Sequence, residues 1–231
     1  MDAPSLEAFP TDWDTGLVLV AHPDDPEYGM AAAVARWTDE GRRVVYAFAS
    51  SGEAGIAGMA PEIAGPLREA EQRASAAVVG VADVTFWGFP DSSIRNTAEL
   101  RARIGSVVEG LAPQLILSLF GGAEWAPGQP NQSDHMEFAA AVREAYDALD
   151  PAVRPRWLFE NGPEATHAVA VDDQIDRAIR SLATHREYLS VLDPDTPVVE
   201  QARRQVEMVT APRDDFGGRR AVGFRRRRGP A

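Results

Sequence analysis

The stretch VLVAHPDDPEYGM, residues 18–30, runs from an apolar segment into a histidine, a proline and two adjacent aspartates, then into helix-forming, mostly small residues. An apolar run that stops at a polar, proline-marked turn before a helical segment is the start of a strand–turn–helix unit. The same turn carries one imidazole and two carboxylates at the end of a buried strand, which is an uncommon place for three ionisable groups.

The pattern repeats along the chain. Apolar runs at Leu17–Ala21, Val44–Ser50, Val84–Phe89 and Leu115–Phe120 read as strands, and amphipathic segments at Met30–Asp39, Pro66–Val79, Thr97–Leu111 and Asp134–Leu149 read as helices. Glycine or proline marks most of the joins. The β-α-β-α order predicts an α/β, Rossmann-like, mostly parallel sheet with helices on both faces, and near-continuous apolar strands fit burial on both sides. RPRWLFEN and HAVAV read as two further strands. A helix is expected to begin near Asp172 and run through the segment DDQIDRAIRSLATHREYL, and another over TPVVEQARRQVEMV with Pro197 in its first turn. With no repeat and no linker, residues 1–231 form one domain.

Composition narrows the function. The chain has 231 residues, 45% of them apolar, and no run approaches the length of a membrane span. The acidic N-terminal stretch lacks the regions of a signal peptide. There is no cysteine, which excludes disulfides, thiolate nucleophiles and cysteine-type metal sites; a cytoplasmic location fits. The net charge of -12 disfavours nucleic acid and anionic membranes as partners. The arginine-rich C-terminus, residues 219–231, reads as a solvated basic tail or as arginines pairing with the acidic body.

In an open parallel sheet, ligands bind beyond the carboxyl ends of the strands. The loops Ser50–Gly65 and Gly121–Ser133, the turn GFPDSS and the first aspartates are therefore expected on one face. A phosphate site at the first turn would need glycines, and HPDDPE offers carboxylates instead. The same residues suit a divalent metal. Catalytic zinc takes three protein ligands of imidazole and carboxylate type and keeps a position open. Of the four histidines, His135 lies in NQSDHMEF, after a strand and on the same expected face as His22. His22, Asp25 and His135 would leave a net single positive charge on a divalent ion and acidify a bound water. One aspartate would bind metal while its neighbour serves as general base, and spacing does not say which. Either could instead cap the following helix.

AHPDDPEYG followed by SDH, together with SSGEAG, LREAEQRASAAVVGVADVTFWGFPDSSI and AIRSLATHREYL, resembles the PIG-L or LmbE-like deacetylases in order and spacing over most of the chain. These are zinc-dependent hydrolases that remove acetyl groups from N-acetylglucosamine-type sugars. The resemblance implies Zn2+ on His22, Asp25 and His135, Asp24 as general base, Arg68 and Asp91 on the substrate, and a small amino-sugar conjugate as that substrate. Asp134 and His185 would sit beside the site, and Asp172 also matches a position in the family. A homo-oligomer fits as well as a monomer. Arg68 equally reads as a surface helix pair with Glu71, and Asp91 as a turn residue.

The chain departs from the family at QSDH, where many relatives have a histidine and this chain has Gln132. A glutamine donates a hydrogen bond but does not cycle a proton. Either Asp24 serves as both base and acid, or a group such as His185 enters, or the chemistry differs. The usual loop tyrosine is replaced by Trp125, which is able to stack on a sugar face. The leading expectation is an N-deacetylase. Beside it stand an amidase or lyase-like activity on another conjugate, and a silent sugar- or metal-binding protein. The intact set His22, Asp24, Asp25 and His135 argues against silence.

Overall fold

The computed structural model describes residues 5–230, so the first four residues of the acidic N-terminus and Ala231 of the basic segment lie outside the described residues. In chain order the elements are β1 (Glu7–Ala8), β2 (Thr15–Val20), α1 (Asp25–Gly29), α2 (Ala31–Asp39), β3 (Arg43–Phe48), α3 (Pro61–Val78), β4 (Asp83–Phe86), α4 (Ala98–Leu111) and β5 (Leu115–Leu119). A small hairpin, β6 (Glu124–Ala126) and β7 (Gln129–Pro130), leads to α5 (Ser133–Ala148), β8 (Trp157–Asn161) and β9 (His167–Ala170). Then come α6 (Ile175–Leu182), α7 (Arg186–Leu192), α8 (Val198–Val209), β10 (Pro212–Arg213), a 3-10 turn (Asp214–Phe216) and β11 (Arg219–Arg228).

The main sheet runs β1-β9-β11-β8-β5-β2-β3-β4, with β10 on β11. Strands β8, β5, β2, β3 and β4 are mutually parallel, and every residue of β5 is buried. This is the mostly parallel sheet expected from the apolar runs. Right-handed crossovers place α1–α3 on one face as the chain steps from β2 out to β4, and α4 and α5 on the other as it returns to β5 and β8. Accordingly α2, α3, α6 and α8 pack among themselves, and α4 packs on α5. The direction of travel reverses between β2 and β5, which opens a crevice at their carboxyl ends. The core sandwiches Leu17, Leu19, Tyr46, Phe48, Leu115 and Phe159 of the sheet between these layers.

Three expectations are corrected. The basic C-terminus is not a solvated tail: β11 is inserted antiparallel between β8 and β9, with Ala221, Val222 and Phe224 buried. Its arginines pair with acids from distant segments. Arg219 meets Asp172 at 3.1 Å, Arg227 meets Glu160 at 2.7 Å, Arg228 meets Asp147 at 2.7 Å, and Arg225 pairs with Glu164. Asp172 is thereby held on β11 and has no part in the site. The single late helix is two helices, interrupted where Thr184 Oγ1 donates back to the Ser181 carbonyl at 2.6 Å. Finally, α3 begins at Pro61 rather than Pro66. Proline is preorganised for a first helical turn, and the bond that Pro66 does not donate leaves only the carbonyl of exposed Glu62 to water.

Candidate metal centre

Each piece of the site starts from a strand end at the crevice. Beyond β2, the backbone N–H of His22 donates to Asp25 Oδ2 at 2.7 Å, which folds the turn back on itself. Asp24 sits in the left-handed region at φ 82°, a costly conformation for a residue with a side chain. It is held there from both sides. Its N–H donates to Gln72 Oε1 at 2.7 Å, and its carbonyl accepts from the N–H groups of Glu27 and Tyr28 at 2.8 and 3.0 Å. This conformation turns the two aspartate side chains to different neighbours.

Asp25 faces the histidines. Its Oδ1 lies 3.0 Å from His135 Nε2 and its Oδ2 lies 3.8 Å from His22 Nδ1, while His22 Nδ1 and His135 Nε2 are 3.3 Å apart. His22, Asp25 and His135 offer ligand atoms all within 4.8 Å of one another. A second group, His22 with Asp91 and Asp134, meets the same criterion through the other ring nitrogen. The hydrogen-bond pattern separates the two. His22 Nε2 lies 3.2 Å from Asp134 and 3.1 Å from Asp91, so a proton on Nε2 leaves the Nδ1 lone pair toward Asp25 and His135. His135 Nδ1 lies 3.2 Å from the Asn131 side-chain oxygen, so it donates there and leaves Nε2 free as an acceptor. Asn131 is anchored in turn by donating to the carbonyls of Phe120 and Gly122 at 2.8 and 2.9 Å. Two imidazoles oriented by oxygen acceptors and one carboxylate form a donor set that fits a divalent cation.

Asp24 points instead at Arg68, with 3.3 Å between Oδ2 and Nη2. Arg68 is 3% exposed and also donates to the carbonyls of Pro23 at 2.8 Å and Gly52 at 3.0 Å. It is therefore no surface partner of Glu71. Its guanidinium lies 4.3 Å from the centre of the Tyr188 ring. The Cβ that a side chain would add at Gly52 or Gly55 would collide with that guanidinium, which is why the loop after β3 is built from glycine here. Asp91 accepts from the Ala54 N–H at 2.9 Å besides facing His22, so it does more than close a turn.

The electrostatics follow the contacts. Burial alone would depress His22, but hydrogen bonds to Asp134 and Asp91 outweigh it and raise the imidazole to about 10. Burial pushes Asp24 up to about 6 against the pull of Arg68. Asp25 is held below the usual carboxylate range because the charge and hydrogen bond of His135 overcome its burial.

Two cavities meet at the centre. A polar one of about 210 Å³ is lined by His22, Asp24, Asp25, Arg68, Asp91 and Tyr188, among others. A larger one of about 360 Å³ extends past His135 to Trp125, Leu192, Met208 and Val209. Gln132 lines both, at the N-cap of α5 with its side chain exposed. Trp125 stands edge-on to His135, with ring centres 6.5 Å apart, and lines the cavity that Arg68 and Asp91 do not. His185 is fully buried, 3.6 Å from Glu27 Oε2, and lines neither cavity, so it is walled off from anything bound there.

The family model described as PIG-L, GlcNAc-PI de-N-acetylase, matches residues 17–146, a span holding His22, Asp24, Asp25, Arg68, Asp91, Gln132 and His135. The chain belongs to the PIG-L family. Within reach of this family lies a probable N-acetyl-alpha-D-glucosaminyl L-malate deacetylase 2 of Bacillus anthracis, 26% identical over 209 residues that cover 84% of this chain and 88% of the relative. The fold is shared with N,N'-diacetylchitobiose deacetylase from Pyrococcus horikoshii, at a TM-score of 0.79 and 18% identity over 93% of this chain and 84% of that one. It is also shared with 4-carboxy-2-hydroxymuconate hydratase from Pseudomonas putida, at a TM-score of 0.69 and 18% identity over 94% and 98% of the two chains.

Several PIG-L site neighbours were not readable in the sequence. Gln72 and Glu27 support the Asp24 turn, joined to each other at 3.2 Å. Asn131 orients His135, and Tyr188 stands between the two cavities. Tyr188 carries no signal because an aromatic on an amphipathic helix reads as core.

Proposed function

We propose that the chain is a zinc-dependent N-deacetylase acting on an N-acetylglucosamine-type sugar or glycoconjugate, with His22, Asp25 and His135 as metal ligands and Asp24 as general base. The convergence of His22 Nδ1, Asp25 and His135 Nε2 with a separately held Asp24 beside them carries this reading. Zinc bound there would supply a Lewis acid that polarises the amide carbonyl and lowers the pKa of water.

The chain's own groups do the rest. Asp91 and Asp134 keep His22 turned toward the cation. Arg68 keeps Asp24 anionic against its burial, so Asp24 takes a proton from the attacking water as the carbonyl carbon becomes tetrahedral. The side-chain amide of Gln132, at the join of the cavities, donates to the developing oxyanion. Because an amide does not cycle a proton, and His185 is walled off, Asp24 also returns the proton to the departing nitrogen. The polar cavity with Arg68, Asp91 and Ser92 takes the sugar hydroxyls.

Primary-amine release from N-acetylglucosaminides tests the reading. Amine should appear with metal-loaded protein and vanish after chelation. A second reading, hydratase or lyase chemistry, is favoured by Gln132 and by the shared fold of the hydratase. Turnover without amine release would select it.

A further inference from the structure

The two cavities differ in chemistry as well as in size. The smaller is lined mainly by charged and polar groups. The larger presents Leu119, Trp125, Leu192, Met208 and Val209 beside two tyrosines. Its two side-chain amides away from the metal centre are already engaged with backbone. Gln205 Nε2 donates to the Tyr28 carbonyl at 2.8 Å, and Asn161 Nδ2 to the Gly223 carbonyl at 3.0 Å. The apolar lining continues to the surface, where Trp125, Leu192 and Met208 are 36%, 57% and 65% exposed. Exposed large apolar side chains contiguous with a cavity mark a binding surface.

An amide has two sides. With its carbonyl at the junction, one substituent enters each cavity. The polar cavity suits the amino sugar, which leaves the apolar cavity to the acyl group. An acetyl methyl would leave most of about 360 Å³ empty, whereas an apolar cavity of roughly 150 Å³ already accommodates benzene. We propose that the larger cavity is an acyl pocket and that the preferred substrate is an amino sugar N-acylated with a medium-length alkanoyl chain. This rests on the amide-hydrolase reading above and changes only the acyl group. The reaction remains hydrolysis. Water oxygen bonds to the carbonyl carbon, and the C–N bond breaks with its electron pair on nitrogen. Nitrogen takes the proton, and alkanoate and free amine leave.

The test is a series of glucosamines N-acylated with acetyl, butanoyl, hexanoyl and octanoyl groups, together with octyl N-acetylglucosaminide, assayed by amine release with metal-loaded protein. kcat/KM should rise about fourfold per added methylene until the cavity is filled. Replacing the rim residues, Leu192→Glu with Met208→Glu, should cut the octanoyl-to-acetyl ratio at least about tenfold. Both positions are exposed, so thermal unfolding checks that the fold survives. Independently of turnover, calorimetry should find octanoate binding more tightly than acetate. A flat or falling series with acetyl active overturns the inference and leaves the deacetylase reading standing. So does a gain that follows the octyl aglycone instead of the acyl chain. No amine from any member overturns the hydrolase reading and this inference with it.

Discussion

Gly55→Ala should disable Asp24 without touching a metal ligand. Gly55 does not need a positive φ, so alanine brings no backbone strain there, but its Cβ would strike the Arg68 guanidinium. Arg68 would have to retreat from Asp24 at 3.3 Å and from the carbonyls of Pro23 and Gly52 at 2.8 and 3.0 Å. Loss of one charge-assisted hydrogen bond is worth about 1.5–3 kcal/mol, which corresponds to a fall in kcat/KM of about 10- to 100-fold. The sign of the pH effect is also fixed. Arg68 lowers the pKa of Asp24, so its retreat raises that pKa. The base is then protonated over more of the range, and the acid limb of the pH–rate profile moves to higher pH. Gly58→Ala is the control: it occupies φ +78° with nothing within 4 Å of the added Cβ. It should cost about 1–2 kcal/mol of stability from the left-handed backbone and leave activity alone. Amine-release kinetics over pH and thermal unfolding of both variants are the measurements. Equal activity of the two, or an unshifted acid limb in Gly55→Ala, refutes the role given to Arg68.

The two aspartates should separate cleanly. Asp24→Asn should retain metal and lose turnover by a factor of about 10² to 10⁴, whereas Asp25→Asn should lose metal; metal analysis showing the reverse would exchange their roles. In the metal-free protein His22 is raised to about 10 and so carries a proton at neutral pH. Metal binding should therefore expel about one proton, and affinity should climb as pH rises toward 10; calorimetry in buffers of different ionisation enthalpy reads this, and no buffer dependence would contradict it. Asn131→Ala should weaken metal binding about 10- to 100-fold by freeing the His135 ring, seen by competition with a chelating dye, and unchanged affinity would remove Asn131 from the site. A chain ending at residue 218 should fail to fold, because β11 joins β8 to β9; cooperative unfolding of the truncated chain by circular dichroism would contradict this.

The alternation of apolar and amphipathic segments determined the α/β class and the parallel core, because strand burial and helix periodicity are local properties of the chain. The scarcity of histidine narrowed the candidate metal donors. With only four in the chain, the topological rule that sites gather at the carboxyl ends of strands pointed to His22 and His135. The general-base choice between Asp24 and Asp25 was left to resemblance, since adjacent residues share their sequence context. What distinguishes them is a φ of 82° at Asp24 held by Gln72 from another helix.

Only the tertiary structure decided the rest, and for one physical reason: the deciding partners are far apart in the chain. Asp91 and Asp134 converge on one ring of His22, and no periodicity announces that. The arginines of β11 look like a solvated tail until Glu160, Glu164, Asp147 and Asp172 are brought alongside by strand register and helix packing. His185 is a candidate participant in the sequence, and folding buries it completely, 3.6 Å from Glu27 Oε2. The second cavity belongs wholly to the fold. Its walls come from the ends of β5 and β8, the β6 hairpin, the start of α5, α1, α7 and α8, elements whose meeting is set by packing around the sheet.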